Sequence, residues 1–172
     1  MTPVLTTDRL VLRPHRAADF ADLHGLWSDR EVVRHIRRPA TEQESWQRLL
    51  RYRGLWAVLG FGYWAVEARE GGYLGDVGLA DFRRPGLAEL EGAAEAGWVL
   101  VQRARGQRFG DEAVAAMLAW ADAQPRLPRI CAMIAPENTA SLKLAARQGF
   151  QFLREGDFDG PVHLFQRPHS AR

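Results

Sequence analysis

The chain is poor in cysteine and has no long hydrophobic run, and both absences exclude classes of protein. Cys131 is its only cysteine, so no intramolecular disulfide can form, and the surrounding apolar run favours a small core residue over a nucleophile. No apolar run approaches the roughly 20 residues that a membrane-spanning helix needs. No group of histidine, cysteine and acidic residues has metal-site spacing, so we expect no bound metal and no membrane contact.

The sequence also lacks the pattern of an export signal and contains very little lysine. The first residues lack the basic-then-apolar pattern of a signal peptide, so we expect a cytoplasmic protein. Lys143 is the only lysine among 23 basic residues. Arginine forks hold anionic ligands well, but biased coding would produce the same composition. Acidic residues are interspersed with the arginines and the formal net charge is only +2, so nucleic-acid binding is not expected.

The order of the predicted elements indicates one mixed α/β domain over residues 1–172. Hydrophobic residues make up 47% and charged residues 26%, as in ordinary soluble domains. Thr41 and Glu44 form a capping box at the start of the second helix. We predict strands at 8–13, 63–66, 74–79, 95–101, 129–135, 150–154 and 162–167, with helices at 17–27, after Pro39, from about Asp111 and from Asn138 to Gln148.

A segment rich in arginine and glycine joins a predicted strand to a predicted helix. Residues 103–110 read Arg-Ala-Arg-Gly-Gln-Arg-Phe-Gly. Such a turn presents free backbone N–H groups at the positive end of a helix, which suits phosphate, although many helices follow a glycine for structural reasons alone. The segment matches neither the P-loop nor the Gly-x-Gly-x-x-Gly pattern, so neither nucleotide hydrolysis nor dinucleotide binding is indicated.

Four stretches, in order along nearly the whole chain, resemble the GNAT acetyltransferases. The Arg-x-x-Gly-x-x run resembles the pyrophosphate loop of that family, and the string from Glu95 to Ala113 looks like its RimJ/RimL-type subgroup. The stretches 7–14 and 62–82 are similar to the opening strand and the hairpin. The stretch 137–141, with Gly149-Phe150 after the helix, is similar to the second cofactor motif.

The resemblance implies a central sheet that splays between two central strands, is flanked by helices and holds acetyl-CoA in the gap, with CoA as the product. The pantetheine arm would pair with the backbone of Leu100 and Val101. Asn138 and Ser141 would contact the cofactor near its thiol or pantetheine end. The pyrophosphate would bind the loop formed by Arg103, Arg105, Gly106, Gln107, Arg108, Phe109 and Gly110.

Two positions depart from the family pattern. Arg108 stands where a second glycine or alanine is usual, and a positive φ there would be strained. Ala145 stands where many members carry the tyrosine that protonates the departing thiolate, so Ser141 is our candidate acid. Glu95, near the expected splay, is our candidate base. A solvated strand carboxylate for Glu95 and a locally bonded helix hydroxyl for Ser141 remain the alternatives.

The function implied is acetyl transfer from acetyl-CoA to a primary amine by direct attack on the thioester. The acceptor is a protein or peptide N-terminal α-amine or a small-molecule amine, bound between residues 19–38 and the hairpin. Four tryptophans would line an amine pocket or belong to the core: Trp46, Trp56, Trp64 and Trp98. The resemblance also makes a homodimer an option. The alternative is a degenerate GNAT domain that senses CoA or binds a protein partner.

Overall fold

A computed structural model describes residues 2–168, which form thirteen regular strands and α-helices. The strands are β1 (Leu5–Thr6), β2 (Leu10–Arg13), β3 (Tyr63–Ala68), β4 (Tyr73–Ala80), β5 (Ala94–Leu100), β6 (Ile130–Ile134), β7 (Gln151–Asp157) and β8 (Pro161–Arg167). The helices are α1 (Phe20–Ser28), α2 (Arg30–Val33), α3 (Glu42–Leu59), α4 (Phe109–Asp122) and α5 (Thr139–Arg147).

One eight-stranded sheet runs through the molecule in the order β1-β2-β3-β4-β5-β6-β8-β7. Neighbouring strands are antiparallel except β5 and β6, which are parallel. Helices α1 and α3 pack on one face of the sheet and α4 and α5 on the other. The predicted mixed α/β domain with flanking helices is therefore confirmed.

The sheet splays open between β5 and β6. These strands pair only at Ala94 with Ile130 and at Glu95 with Cys131. Backbone N–H and C=O groups two residues apart on a strand point to the same side, so those of Trp98 and Leu100 point toward β6, as those of Ala94 do. Beyond Glu95 they face the gap without a strand partner in the described part of the chain. The predicted splay between two central strands is confirmed, and it leaves an open hydrogen-bonding edge in the middle of the sheet.

Strand β5 sends alternate side chains into two separate cores. Ala96 and Leu100 pack with α4 and α5, whereas Val99 packs with α1 and α3. Because side chains alternate along a strand, Glu95 lies on the face of Val99, and Trp98 lies on the face of Leu100. The gap therefore has a different set of side chains on each face of the sheet.

The local sequence signals explain most element boundaries. The Thr41 hydroxyl accepts from the Glu44 N–H and the Glu44 carboxylate accepts from the Thr41 N–H, so the predicted capping box starts α3. Gly60, at φ 76°, ends that helix in the left-handed conformation. Asn138 caps α5 by accepting from the Ser141 N–H.

Several predicted boundaries were wrong or incomplete. Helix α4 begins at Phe109 rather than near Asp111, and the predicted helix 17–27 is a 3-10 turn at Ala17–Asp19 followed by α1. The short elements β1 and α2 were not predicted, because two and four residues carry too little periodicity to be detected. Within residues 2–168, no helix combines the length and the apolar composition that crossing a bilayer requires.

Candidate active site

The loop before α4 presents a run of unbonded backbone N–H groups. From Gly106 to Gly110, no N–H donates a hydrogen bond of ordinary geometry to any residue in the range 2–168. Residues 105–108 are exposed, and α4 is a helix of 14 residues whose positive end lies at this loop. These consecutive N–H groups fit a pyrophosphate, which is the group that the sequence assigned to this loop.

Two loop residues have left-handed backbone conformations. Gly106 has φ 76°, and a Cβ added there would meet no heavy atom within 4 Å. Arg108 has φ 60° and ψ 20°, so the positive φ anticipated from the sequence is present at a residue other than glycine. The loop therefore keeps its shape at a cost of about 1–2 kcal/mol at Arg108.

The arginine side chains of the loop brace it against the rest of the protein. Arg103 donates to the carbonyl of Tyr73, and Arg105 donates to the carbonyl of Glu31 over 2.9 Å. The Arg108 side chain is 70% exposed and lies 3.7 Å from Asp111. Two of the three guanidinium groups therefore hold the loop in place.

The acidic residues in the first turn of α4 are neutralised by ion pairs. Arg147 contacts Asp111 over 2.6 Å and lowers the pKa of that carboxyl. Burial raises the pKa of Glu112, but hydrogen bonds from Thr7 and Arg9 outweigh it, so the pKa is lowered. Both groups stay ionised, and their partners offset the negative charge that would otherwise repel a pyrophosphate.

The backbone groups of Val101 have partners within the protein. Its N–H donates to the carbonyl of Leu74 over 2.9 Å, and its carbonyl accepts from the Ala104 N–H over 3.0 Å. The backbone of Val101 is thus already hydrogen-bonded within the protein, which disfavours the predicted pairing of a pantetheine arm with the backbone of Val101. The exposed edge consists instead of Trp98 and Leu100, because backbone direction alternates along the strand.

A cavity of about 980 Å³ opens at the splay and extends to α3. Its wall includes β5 from Glu95 to Val99, the end of β6, and both Asn138 and Ser141 at the start of α5. The sequence-predicted catalytic residues Glu95 and Ser141 therefore border the same cavity. The cavity also receives the segment 34–38, which lies inside the region where the sequence placed the acceptor pocket.

Ser141 lies beside Trp98 at this cavity. The indole N–H of Trp98 donates to the Ser141 hydroxyl oxygen over 3.1 Å, and Asn138 fixes the Ser141 backbone through the helix cap. The hydroxyl does not bond to its own helix within residues 2–168, which was the alternative role considered for it. An indole N–H can only donate, so the Ser141 hydroxyl keeps its own hydrogen available.

Glu95 is buried and held in one orientation. It is 7% exposed, and its two oxygens accept from the Arg84 guanidinium over 2.7 and 2.9 Å. Arg84 in turn lies 4.8 Å from the rings of Phe82 and Phe158. The solvated strand carboxylate is therefore not what the structure shows. Two of about four lone-pair directions remain on the carboxylate, so it can still accept a proton or a hydrogen bond.

A buried polar network lies behind the cavity wall formed by Trp27. Asp76 is fully buried and accepts from His15, Trp27 and Tyr73 over distances of 2.5–2.8 Å. Burial, followed by the charge of Asp76, raises the pKa of Tyr73 well above its ordinary value. Tyr73 therefore stays protonated, and the network holds Trp27 in position at the cavity.

The structure adds cavity residues that the sequence did not single out. Arg48 and Arg51 reach it from α3, His35 from the segment after α2, and Tyr63 from β3. Of these residues, only those on α3 could have been found from the spacing of residues in the sequence. Arg48 lies four residues before Tyr52, a core residue, and therefore on a buried face of the helix.

Three of the four tryptophans have one of the two predicted positions. Trp56 and Trp64 are core residues, and Trp98 borders the cavity. Trp46 is 41% exposed and borders neither the core nor the cavity.

The comparisons with known proteins agree with this geometry. The family model described as "Acetyltransferase (GNAT) domain" matches residues 9–151. A solved structure from Bordetella pertussis, described as a GNAT-family acetyltransferase, is 31% identical, with a TM-score of 0.86 over 97% of this chain and 100% of that chain. YoaA of Bacillus subtilis (strain 168), an uncharacterized N-acetyltransferase, is 26% identical over 153 residues, or 88% of this chain and 84% of YoaA.

A third similarity concerns the fold alone. The ribosomal-protein-S5-alanine acetyltransferase of Vibrio fischeri is 19% identical, with a TM-score of 0.79 over 98% of both chains.

Taken together, the splayed sheet, the helix-start loop and the matches define an acyltransferase that uses a CoA thioester. The family match covers most of the chain, so the protein belongs to the GNAT acetyltransferases. It is an acetyltransferase, and acetyl-CoA is its acyl donor.

Proposed function

We propose that this acetyltransferase acts on a primary amine by direct attack on the thioester. The observation that carries the proposal is that the free N–H run from Gly106 to Gly110, the open edge at Trp98 and Leu100 and the cavity all adjoin β5. The C-terminal end of β5 leads into the loop that would bind the phosphates, and the N-terminal end, with Glu95, lies at the cavity where the reaction would take place. Acetyl-CoA supplies an activated carbonyl carbon, to which the amine nitrogen bonds as the carbon–sulfur bond breaks.

The protein backbone performs the binding and the polarisation in this proposal. The N–H groups from Gly106 to Gly110 hold the pyrophosphate. The free edge at Trp98 and Leu100 pairs with the pantetheine amides, and a free N–H there donates to the thioester oxygen as negative charge develops on it. These donors are fixed by the sheet, so they need little reorganisation during the reaction.

Glu95 and Ser141 lie on opposite faces of the sheet at the gap, which supports separate roles for them. Glu95, on the face of α1 and α3, accepts the proton that the amine loses, directly or through water. Ser141, on the face of α4 and α5, donates a proton to the departing sulfur. Its hydroxyl is oriented by Trp98 and retains a free hydrogen.

Membership of the RimJ/RimL-type subgroup, which would favour a protein or peptide N-terminal α-amine as the acceptor, is part of this proposal. The ribosomal-protein-S5-alanine acetyltransferase of Vibrio fischeri shares the fold at 19% identity, a level that carries no substrate information. Protein N-terminal α-amines and small amines are both compatible with a cavity of about 980 Å³. The acceptor must therefore be argued from the side chains of the cavity.

Calorimetric titration with acetyl-CoA, with CoA, NAD and ATP as controls, tests the donor site. We expect selective binding of acetyl-CoA and CoA, followed by acetyl transfer to members of an amine panel that includes N-terminal peptides. Binding without transfer to any amine would support the alternative of a degenerate CoA-binding domain. A folded protein that binds none of the four ligands would refute the donor site itself.

A further inference from the structure

Two arginines on α3 face the cavity without any acidic partner. Arg48 and Arg51 both line it, and three residues separate them, so they lie on the same face of the helix. Neither forms a salt bridge with any acidic residue in the range 2–168. Arg13, the other buried arginine of the described chain, contacts both Asp19 and Glu67.

Arg48 is a buried cation with at least one hydrogen-bond donor left unused. Only 7% of the residue is exposed, and its Nε finds no acceptor within the described chain. Its guanidinium carbon lies 3.5 Å from the ring centroid of Trp27, so the two groups form a cation–π contact. Burying a charge without a counter-ion is costly, and an anion bound in the cavity would relieve that cost.

Arg51 adds a second positive charge next to the first. The residue as a whole is exposed, but desolvation at the cavity wall lowers the pKa of Arg51, and the charge of Arg48 lowers it further. Arg51 lies 5.4 Å from the ring of Phe82 and makes no hydrogen bond to residues 2–168. Two guanidinium forks that repel each other, yet remain together at a cavity wall, match the planar oxygens of a carboxylate or a phosphonate.

Two buried acidic groups at or behind the cavity wall have other partners. Asp76 already accepts three hydrogen bonds, one of them from the indole N–H of Trp27. Glu95 is taken by Arg84. Neither forms an ion pair with Arg48 or Arg51, and each is already paired with another residue.

Charge is distributed unevenly around the cavity. The α3 wall carries Arg48 and Arg51 without acidic partners in residues 2–168, whereas the other arginines at the cavity pair with Glu31, Glu44 or Glu95. Glu95 on β5, Glu137 before α5 and Asp159 between β7 and β8 line other parts of it. An amine approaches the thioester as an ammonium ion before it loses a proton, and Glu95 lies at that point. A ligand with an ammonium end and an anionic end complements both parts of the cavity.

We infer that the acceptor is a small primary amine that also carries a carboxylate or phosphonate group, held by Arg48 and Arg51. This inference rests on the proposed amine acetylation. The arginine pair sets the specificity by orienting the anionic end, which leaves the amine at the gap beside Glu95. A neutral amine of the same length leaves both guanidinium groups unpaired and binds more weakly.

Matched amines test the inference through the kinetics of acetylation. The panel consists of β-alanine, 2-aminoethylphosphonate, β-alaninamide and propylamine, with a neutral peptide as the N-terminal substrate and longer and shorter homologues of each. We expect kcat/KM for the carboxylate or phosphonate member of a set to exceed that of its neutral counterparts about tenfold or more. The carboxylate and phosphonate arms show which oxyanion the pair prefers.

Three variants locate the effect. Arg51→Gln and Arg48→Gln should remove the preference by raising KM for the anionic amine about tenfold, with a much smaller change in kcat/KM for the neutral amine. Arg51→Gln keeps the test valid if the buried Arg48→Gln fails to fold. Arg53→Gln is the matched control, because Arg53 is an exposed residue of the same helix that does not line the cavity.

The outcomes separate this inference from the proposed function. Acetylation of neutral amines or of the neutral peptide at least as fast as anionic amines overturns the inference and leaves amine acetylation intact. A fall in acetyl-CoA affinity in Arg51→Gln would assign the pair to the donor and also overturn it. Failure of every amine in the panel, with acetyl-CoA still bound, counts against amine acetylation itself.

Discussion

The indole N–H of Trp98 donates to the hydroxyl oxygen of Ser141 over 3.1 Å, across the gap between β5 and α5. This bond turns the hydroxyl so that its own hydrogen remains free at the cavity. We therefore expect Ser141→Ala to lower kcat roughly a hundredfold while changing the acetyl-CoA dissociation constant only a few-fold. Stopped-flow or steady-state kinetics together with calorimetry separate the two quantities.

Thr139→Ala is the matched control for that experiment, because it removes an exposed hydroxyl from the same turn of α5. Its kcat should equal that of the unmodified enzyme. Equal turnover in Ser141→Ala would remove Ser141 as the acid. An equal loss of turnover and affinity would instead show that the hydroxyl only binds the donor.

Glu95 and Arg84 form a bidentate ion pair, so a substitution of Glu95 alone cannot separate catalysis from structure. We expect Glu95→Gln to lower kcat/KM roughly a hundredfold, because the proton acceptor is lost. Arg84→Gln breaks the same pair but keeps the carboxylate, so it should retain most of the activity. The pH profile of kcat/KM measures the effect, and equal losses in both variants would show that the ion pair is structural.

The free N–H groups of the loop predict a charge effect at Gly106. A side chain has room there, since a Cβ would meet no heavy atom within 4 Å. We expect Gly106→Glu to weaken acetyl-CoA binding about a hundredfold or more, because like-charge contacts cost several kcal/mol. Calorimetry on folded protein, checked by circular dichroism, measures the affinity.

Gly106→Gln controls for the positive φ of 76° and for side-chain size, since it differs from the glutamate variant only in charge. Its affinity should fall far less. If the glutamate variant binds acetyl-CoA as tightly as the glutamine variant, the assignment of this loop to the pyrophosphate is wrong.

Much of the fold was predictable because the signals are local. Alternating and helical periodicities marked the long elements, and the Thr41–Glu44 pair marked the start of α3. The glycine and arginines before α4 marked the loop. The short elements escaped detection, and so did the backbone partners of Val101. Its hydrogen bonds depend on which neighbour each backbone group faces, and a single strand does not reveal that.

The candidate site was only partly predictable, because pairing is a property of the folded chain. Arg48 and Arg53 look alike in the sequence, yet the first is buried and the second is exposed. That Arg48 has no acidic partner emerges only when α3 packs beside Trp27. Similarly, nothing in the sequence connects Glu95 with Arg84, which lies in an irregular segment between β4 and β5.

Arg108 offers the sharpest test of how the loop holds its shape. Its φ of 60° places a residue with a Cβ in the left-handed region, at a cost of about 1–2 kcal/mol that glycine would not incur. Its exposed side chain gains little in return, because its contact with Asp111 is 3.7 Å long and Arg147 already pairs with that carboxylate at 2.6 Å. We expect Arg108→Gly to raise the free energy of unfolding by about 1 kcal/mol, measured by urea denaturation, while acetyl-CoA affinity changes less than about threefold. Arg108→Ala keeps the Cβ and should leave stability nearly unchanged, which separates backbone relief from side-chain loss. A glycine variant that is less stable than the alanine variant would show that the left-handed conformation at Arg108 carries no strain.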